Sequence, residues 1–197
     1  MKPLPFTFPY ALIFWSVYFW AFAPELGIMQ TARRRVREAG SRDAGSLRVI
    51  LIGMVIAMVV AFAGASQESL SLPAPLRFPA FALGLLCLIA GSLLRRHCWR
   101  MLGASFTGDV NAQTDQPVVE RGAYRWVRHP SYTAGTLMYL GIGLALGSWG
   151  STLVLGIASI VTYHYRMNVE EQVLLQTLGD RYRAYMQTRK RLFPFIY

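Results

Sequence analysis

The stretch that decides the fold is LRVILIGMVIAMVVAFAGA, Leu47 to Ala65. Its one formal charge, Arg48, sits at the edge of the run. A membrane-crossing helix needs about 20 mostly apolar residues, within a range of about 17–25, and this run meets that length. Working outward, four more segments approach it: Phe6 to Ala23, with Pro9 tolerable in a first turn, then Phe78 to Leu94, Thr133 to Gly147 and Thr152 to Tyr165. The last two are short and joined by Ser148-Trp149-Gly150-Ser151, a spacing that suits a tight helical hairpin. Short spans are accommodated by local thinning of the bilayer or by burial against neighbours. The expected class is an all-α, polytopic membrane bundle of about five transmembrane helices, ending in a C-terminal hairpin and a cytoplasmic amphipathic tail helix.

Composition agrees with that solvent. The chain has 197 residues, enough for one domain; 54% are hydrophobic and 15% charged, against about 25% charged in soluble domains. The net charge of +10 suits nucleic acid or an anionic membrane surface. The apolar runs decide for headgroups, and no nucleic acid is expected. Cys87 and Cys98 stand too far apart on one expected helix for a bridge and are read as reduced. His97-Cys98 lacks a second pair that would complete a metal site.

The charges set an orientation. Arg33, Arg34, Arg35, Arg37, Arg42 and Arg48 follow the first span. Arg95, Arg96, Arg100, Arg121, Arg125 and Arg128 follow the third. Arg166, Arg181, Arg183, Arg189, Lys190 and Arg191 follow the fifth. Of the 20 Lys and Arg, Lys2 and Arg77 alone lie outside these segments. The positive-inside rule puts the three basic segments and the C-terminus in the cytoplasm and the N-terminus outside, in an integral membrane protein expected in a bacterial inner membrane. Ala21-Phe22-Ala23 resembles a signal-peptide cleavage site, but Pro24 and the arginines beyond argue for a retained span.

Val169 to Arg191 reads as an amphipathic helix, with Leu174, Leu175, Leu178, Tyr182 and Tyr185 at helical spacing and a break at Gly179-Asp180. It can lie at the interface or fold over the cytoplasmic mouth. Gly40 to Gly45 and Gly108 to Gln116 are polar loops, the second long enough to be functional.

Two polar clusters stand out. One runs from Gly122 to Tyr132 and contains Tyr124, Arg125, Arg128, His129 and Pro130 just before the fourth span. Pro130 suits the first turn of a helix, whose N-terminal N–H groups and dipole favour an anion. The other, Arg166-Met167-Asn168-Val169-Glu170-Glu171, follows the fifth span. The hairpin brings both to the same side, one cationic and one with two carboxylates, a pairing that suits a zwitterionic ligand. Structural readings stay open beside this one: interfacial, snorkelling side chains, an i,i+4 pair between Arg166 and Glu170, a solvated face at Glu170-Glu171.

The order of blocks is specific. G-x-Y-x-x-x-R-H-P-x-Y from Gly122, a hairpin, R-x-x-x-E-E-x-x-L from Arg166, G-D-R-Y-x-x-Y from Gly179 and Leu192-Phe193-Pro194-Phe195 together resemble the isoprenylcysteine carboxyl methyltransferase and phospholipid methyltransferase superfamily. The resemblance covers Leu102 to Tyr197; the first two spans match nothing in it. It implies S-adenosyl-L-methionine as cofactor, in a cytoplasm-facing pocket. It implies Tyr124, His129, Pro130, Tyr132 and Gly135 as its lining, with Glu170 or Glu171 meeting its ammonium group. Arg128 and Arg166 are implied to hold a carboxylate of cofactor or substrate, and the lipidic or amphipathic small-molecule substrate to enter from the bilayer. The chain then divides into three spans over 1–100, a cytoplasmic cofactor loop over 101–132, the hairpin over 133–166 and a cytoplasmic C-terminal helix over 167–197.

Methyl transfer from a sulfonium is an in-line displacement that needs alignment and exclusion of water, not a metal or a covalent nucleophile. A carboxylate acceptor needs an arginine to orient it. An amine acceptor must be neutral, and Glu170 or Glu171 can take its proton. Two other readings remain: a membrane reductase using a reduced nicotinamide cofactor on a similar hairpin, and a non-catalytic membrane protein. The oligomeric state is not legible.

Overall fold

A computed structural model describes residues 2–39, 45–103 and 117–193, without the side chains of 26 and 28–39. Among these residues the α-helices, in order, are α1 (Tyr10–Ala39), α2 (Ser46–Gly64), α3 (Ala74–Leu102), α4 (Pro130–Ala145), α5 (Trp149–Leu178) and α6 (Asp180–Thr188). Sheet pairing among them is limited to two isolated bridges, Ser71 with Ser148 and Val127 with Lys190. An α-helix covers most of each of the five expected spans; α1 begins at Tyr10, so Phe6 to Pro9 precede it, and α4 ends at Ala145, two residues before the expected Gly147. The loop Gly108 to Gln116 and most of Gly40 to Gly45 lie outside the described residues.

The centre of the bundle is α4. Its 16 residues rise only about 24 Å at 1.5 Å per residue, short of a hydrocarbon core of about 30 Å. Burial compensates: α3 packs along one side and α5 along the other, and Ala134, Met138, Ile142 and Ala145 are fully enclosed. Between α3 and α4 the backbones nearly touch. A Cβ on Gly84 would stand 2.5 Å from both the Ala145 nitrogen and the Gly141 oxygen. Lipid offers no hydrophobic drive between helices, so close packing of small residues supplies the association.

The first two helices buttress this centre. On α1, Pro24 lies inside the helix and has no N–H to give Trp20. The Arg96 guanidinium replaces it, donating to the Trp20 carbonyl at 2.6 Å while lying over the indole at 4.7 Å. Ser92 donates to the Ala21 carbonyl at 3.0 Å, so α3 satisfies the carbonyls around the proline. Helix α2 runs antiparallel to α5 and is tied at both ends: Ser151 donates to the Ala61 carbonyl at 2.7 Å, and Arg166 to the Ser46 hydroxyl at 2.8 Å. At the opposite end from Arg166, Ser148 caps α5 and donates to the Leu70 carbonyl at 2.9 Å.

Helices α2 and α3 are long and apolar enough to cross a membrane. Leu12, Phe19, Ile52, Val59, Leu86, Ile157 and Val161 turn outward, the arrangement of a helical bundle solvated by lipid. The helices extend beyond the apolar runs: α1 carries its backbone to Ala39, α3 to Leu102 and α5 to Leu178. The division expected at 166/167 therefore falls inside α5. The change from apolar to amphipathic sequence alters what the helix touches, and no residue stops the helix before Gly179. There the backbone takes φ +58° and ψ −129°, a conformation that glycine alone adopts freely.

Candidate functional site

The site forms where the start of α4 meets the middle of α5. Tyr163, Arg166 and Glu170 recur about one turn apart on α5, with Glu171 next to Glu170, so the four share one side of the helix. Opposite them, a short 3-10 turn at Gly122–Arg125 leads to His129, the residue that caps α4. Pro130 then opens the helix, fully buried.

Glu171 is the hub. It is 3% exposed. Its Oε1 accepts from Arg128 Nε and His129 Nε2, both at 3.0 Å. Its Oε2 accepts from Arg191 Nε at 3.1 Å and Nη2 at 2.6 Å. A carboxylate only accepts, so His129 carries its proton on Nε2 in this arrangement. Burial pushes the Glu171 carboxyl upward. The hydrogen bond and charge of His129, the bond from Arg191 and the charge of Arg128 outweigh that and hold it at about 2.

Arg128 is engaged on every side. Besides Glu171, its Nη1 donates to the carbonyls of Met186 at 2.8 Å and Arg189 at 2.7 Å. Its backbone N–H donates to the Lys190 carbonyl at 2.8 Å and that of His129 to the Arg191 carbonyl at 2.9 Å. Thr133 Oγ1 donates to the Leu192 carbonyl at 2.8 Å. The Tyr185 hydroxyl donates to the Tyr124 carbonyl at 2.6 Å. Residues 185–192 thus form a strap buckled across the start of α4. Burial raises the phenols of Tyr124 and Tyr185 well above their ordinary value, so both stay protonated donors.

Glu170 differs from its neighbour. Its side chain is 31% exposed. Its Oε2 accepts from the Tyr132 hydroxyl at 2.7 Å and lies 3.8 Å from His129 Nδ1, beyond a hydrogen bond. Arg166 Nε donates to that same hydroxyl at 3.3 Å. Arg166 is buried, which draws it below its ordinary value against the opposing charge of Glu170. The rings of His129, Tyr132 and Tyr163 form a stack, with centroids 5.5 Å and 4.9 Å apart.

The expected residues therefore come together, with distinct placements. Arg128 and His129 both bind Glu171. Tyr132, Arg166 and Glu170 form a second, more open set. Tyr124 is buried beneath the strap through its carbonyl. Gly135 sits where a Cβ would strike the Tyr163 ring; its lack of a side chain lets that ring slide under Tyr132. Sequence reasoning missed Tyr163, Arg191, Ser46 and Arg95. Tyr163 carried a signal, two turns before Glu170 on one helix face. Arg191 carried none within the run Arg189-Lys190-Arg191.

A pH dependence follows. The folded Glu171 carboxyl lies below its ordinary value of 4.5. Its contribution is present above pH 4.5 and is lost as pH falls toward 2. At about 1.4 kcal/mol per unit, it amounts to on the order of 3 kcal/mol. The protection factors of amides in residues 186–193, corrected for the slower intrinsic exchange at low pH, should be high at pH 6 and fall sharply by pH 3. Unchanged protection at pH 3 would show that the strap does not hang on this carboxylate.

Comparison with known proteins identifies the family. Residues 79–181 match the family model of the phospholipid methyltransferases. A protein-S-isoprenylcysteine O-methyltransferase of Schizosaccharomyces pombe is 33% identical over 135 residues, 61% of this chain and 56% of that protein. One of Tribolium castaneum is 30% identical over 116 residues, 58% of this chain and 41% of that protein. The structure of a eukaryotic intramembrane Ras methyltransferase, isoprenylcysteine carboxyl methyltransferase, superposes with a TM-score of 0.58 at 26% identity, over 74% of this chain and 52% of that one. The chain spans about half the length of these relatives. More than half of this chain, including the α4–α5 hairpin and both glutamates, falls within the matched region, and the chain belongs to the phospholipid methyltransferase family.

Proposed function

We propose that this protein is a membrane methyltransferase that uses S-adenosyl-L-methionine at the α4–α5 face and acts on a lipidic or amphipathic acceptor. The observation that carries the reading is the pair of unlike glutamates beside His129 and Tyr132. Glu171 is saturated by protein cations and builds the wall of the site. Glu170 keeps part of its carboxylate exposed, which fits the ammonium of an amino-acid moiety. The His129–Tyr132–Tyr163 stack offers a flat surface beside it. These residues fit the cofactor at Glu170 and Tyr132. Arg128 and Glu171 act at one remove, by fixing the strap and His129. Bound there, S-adenosylmethionine supplies a methyl group on a sulfonium, open to displacement by an oxygen or nitrogen. Arg166 lies beside Tyr132, where its charge orients an acceptor carboxylate; Glu170 takes a proton if the acceptor is an amine. The O-methyltransferase names of the relatives favour the carboxylate. The basic segments support a cytoplasmic site and C-terminus with the N-terminus outside.

Calorimetry on the purified full chain tests the reading. S-adenosylhomocysteine should bind, and Glu170→Gln should weaken it at least tenfold, about 1.4 kcal/mol, with thermal unfolding unchanged. Binding of NADPH in its place would support a reductase, and binding of neither would refute an enzyme of this kind. Labelled-methyl transfer to a total membrane extract then identifies the acceptor.

A further inference from the structure

The matched family region begins at residue 79, yet a carboxylate from α1 reaches the site. Glu25, one residue beyond the proline of α1, forms an ion pair with Arg95 of α3. Arg95 Nε donates to Glu25 Oε1, and Nη2 donates to Oε2 at 3.0 Å. The guanidinium's remaining nitrogen, Nη1, turns the other way. It donates to the Ser131 carbonyl at 2.9 Å and the Ser131 hydroxyl at 3.1 Å. Ser131 lies in the first turn of α4, between His129 and Tyr132, and is 8% exposed. The guanidinium also lies 5.4 Å from the Trp99 ring, and Tyr163 and Tyr139 are within electrostatic reach of the pair.

We infer that Glu25 and Arg95 are positioning residues for the proposed cofactor site: they pin the Ser131 turn of α4 and so fix His129 and Tyr132 against α5. Arginine suits this task because its fork binds a carboxylate with one edge while the third nitrogen reaches elsewhere. Glu25 neutralises a cation that could not otherwise stay within the bundle. Glu25 directly follows Pro24, the residue that leaves the Trp20 carbonyl without its helical donor, and Arg96 of α3 supplies one in its place. The first helix is therefore part of the site's geometry, beyond its role as an anchor.

The inference rests on the cofactor reading, and the test separates the two. Wild-type full chain is titrated first with S-adenosylhomocysteine; lack of binding would defeat the cofactor reading itself. The Arg95→Lys variant keeps the charge that pairs with Glu25 but lacks the fork that also reaches Ser131. It should unfold within about 2 °C of wild type, bind S-adenosylhomocysteine at least tenfold more weakly, and show faster hydrogen exchange at residues 131–135. Glu25→Gln should weaken binding likewise, and Glu25→Asp should restore part of it. With wild type binding, Arg95→Lys binding equally well would overturn the positioning role. Affinity lost only in proportion to lost stability, with exchange at 131–135 unchanged, would equally overturn it.

Discussion

Replacing Glu171 with Gln is expected to cost about 3–5 kcal/mol and to unbuckle the C-terminal strap. The carboxylate accepts four hydrogen bonds from Arg128, His129 and Arg191. Glutamine cannot carry the charge, and its NH2 group would face cations. Breaking a buried ion pair from one side leaves an uncompensated charge, and the loss is of this size. Arg128 also holds the carbonyls of Met186 and Arg189, so the damage spreads along residues 185–192. Thermal unfolding in detergent should fall by several degrees, and exchange at 186–193 should approach that of an unstructured segment. Glu170→Gln is the control: that side chain is partly exposed, and the strap should be untouched. Equal behaviour of the two variants would contradict the division of labour drawn between the glutamates.

The second large effect is expected at the α3–α4 crossing. In Gly84→Val the Cβ alone would overlap the backbone of Ala145 and Gly141. Backbone atoms cannot rotate away as a side chain can, so the helices must separate along their length. Overpacking typically costs about 1–3 kcal/mol; against two backbones the cost should reach or exceed the top of that range. Because α4 is enclosed by α3, the displacement should also loosen the Ser131 turn. The expected result is poor recovery of folded protein by size exclusion, with any folded fraction unfolding at clearly lower temperature. Gly27→Ala is the contrasting substitution. A Cβ there meets nothing within 4 Å, and losing a helical glycine should be neutral or stabilising by up to about 1 kcal/mol. A Gly84→Val variant as stable as wild type would mean that α3 and α4 do not pack as described.

Much of the fold was legible because lipid solvation writes itself into composition. Leu47 to Ala65 reads as a span from its apolar length alone, and α2 begins and ends within a residue of it. The hairpin turn at Ser148 was legible because a short polar piece between apolar runs permits little else. The ends of α1, α3 and α5 were not. Their polar extensions leave the apolar stretch without leaving the helix, and apolar length marks where lipid ends, not where hydrogen bonding ends. At the site, residue types and order pointed to Arg128, His129, Glu170 and Glu171 together. Which glutamate is committed and which is partly open could not be read from two adjacent identical side chains.

The amino-acid sequence alone determined that the chain is a helical membrane bundle and that its cationic and acidic clusters meet across a hairpin. These follow from local quantities: apolar length, charge position and the spacing of turns. The tertiary structure alone decided that Glu171 is bound by Arg128, His129 and Arg191, that Gly135 yields its space to Tyr163, and that Glu25 of α1 joins Arg95 in pinning the start of α4. Each of these depends on the rotation of one helix about its axis against another. Packing of side chains far apart in the sequence sets that rotation, and no single segment encodes it.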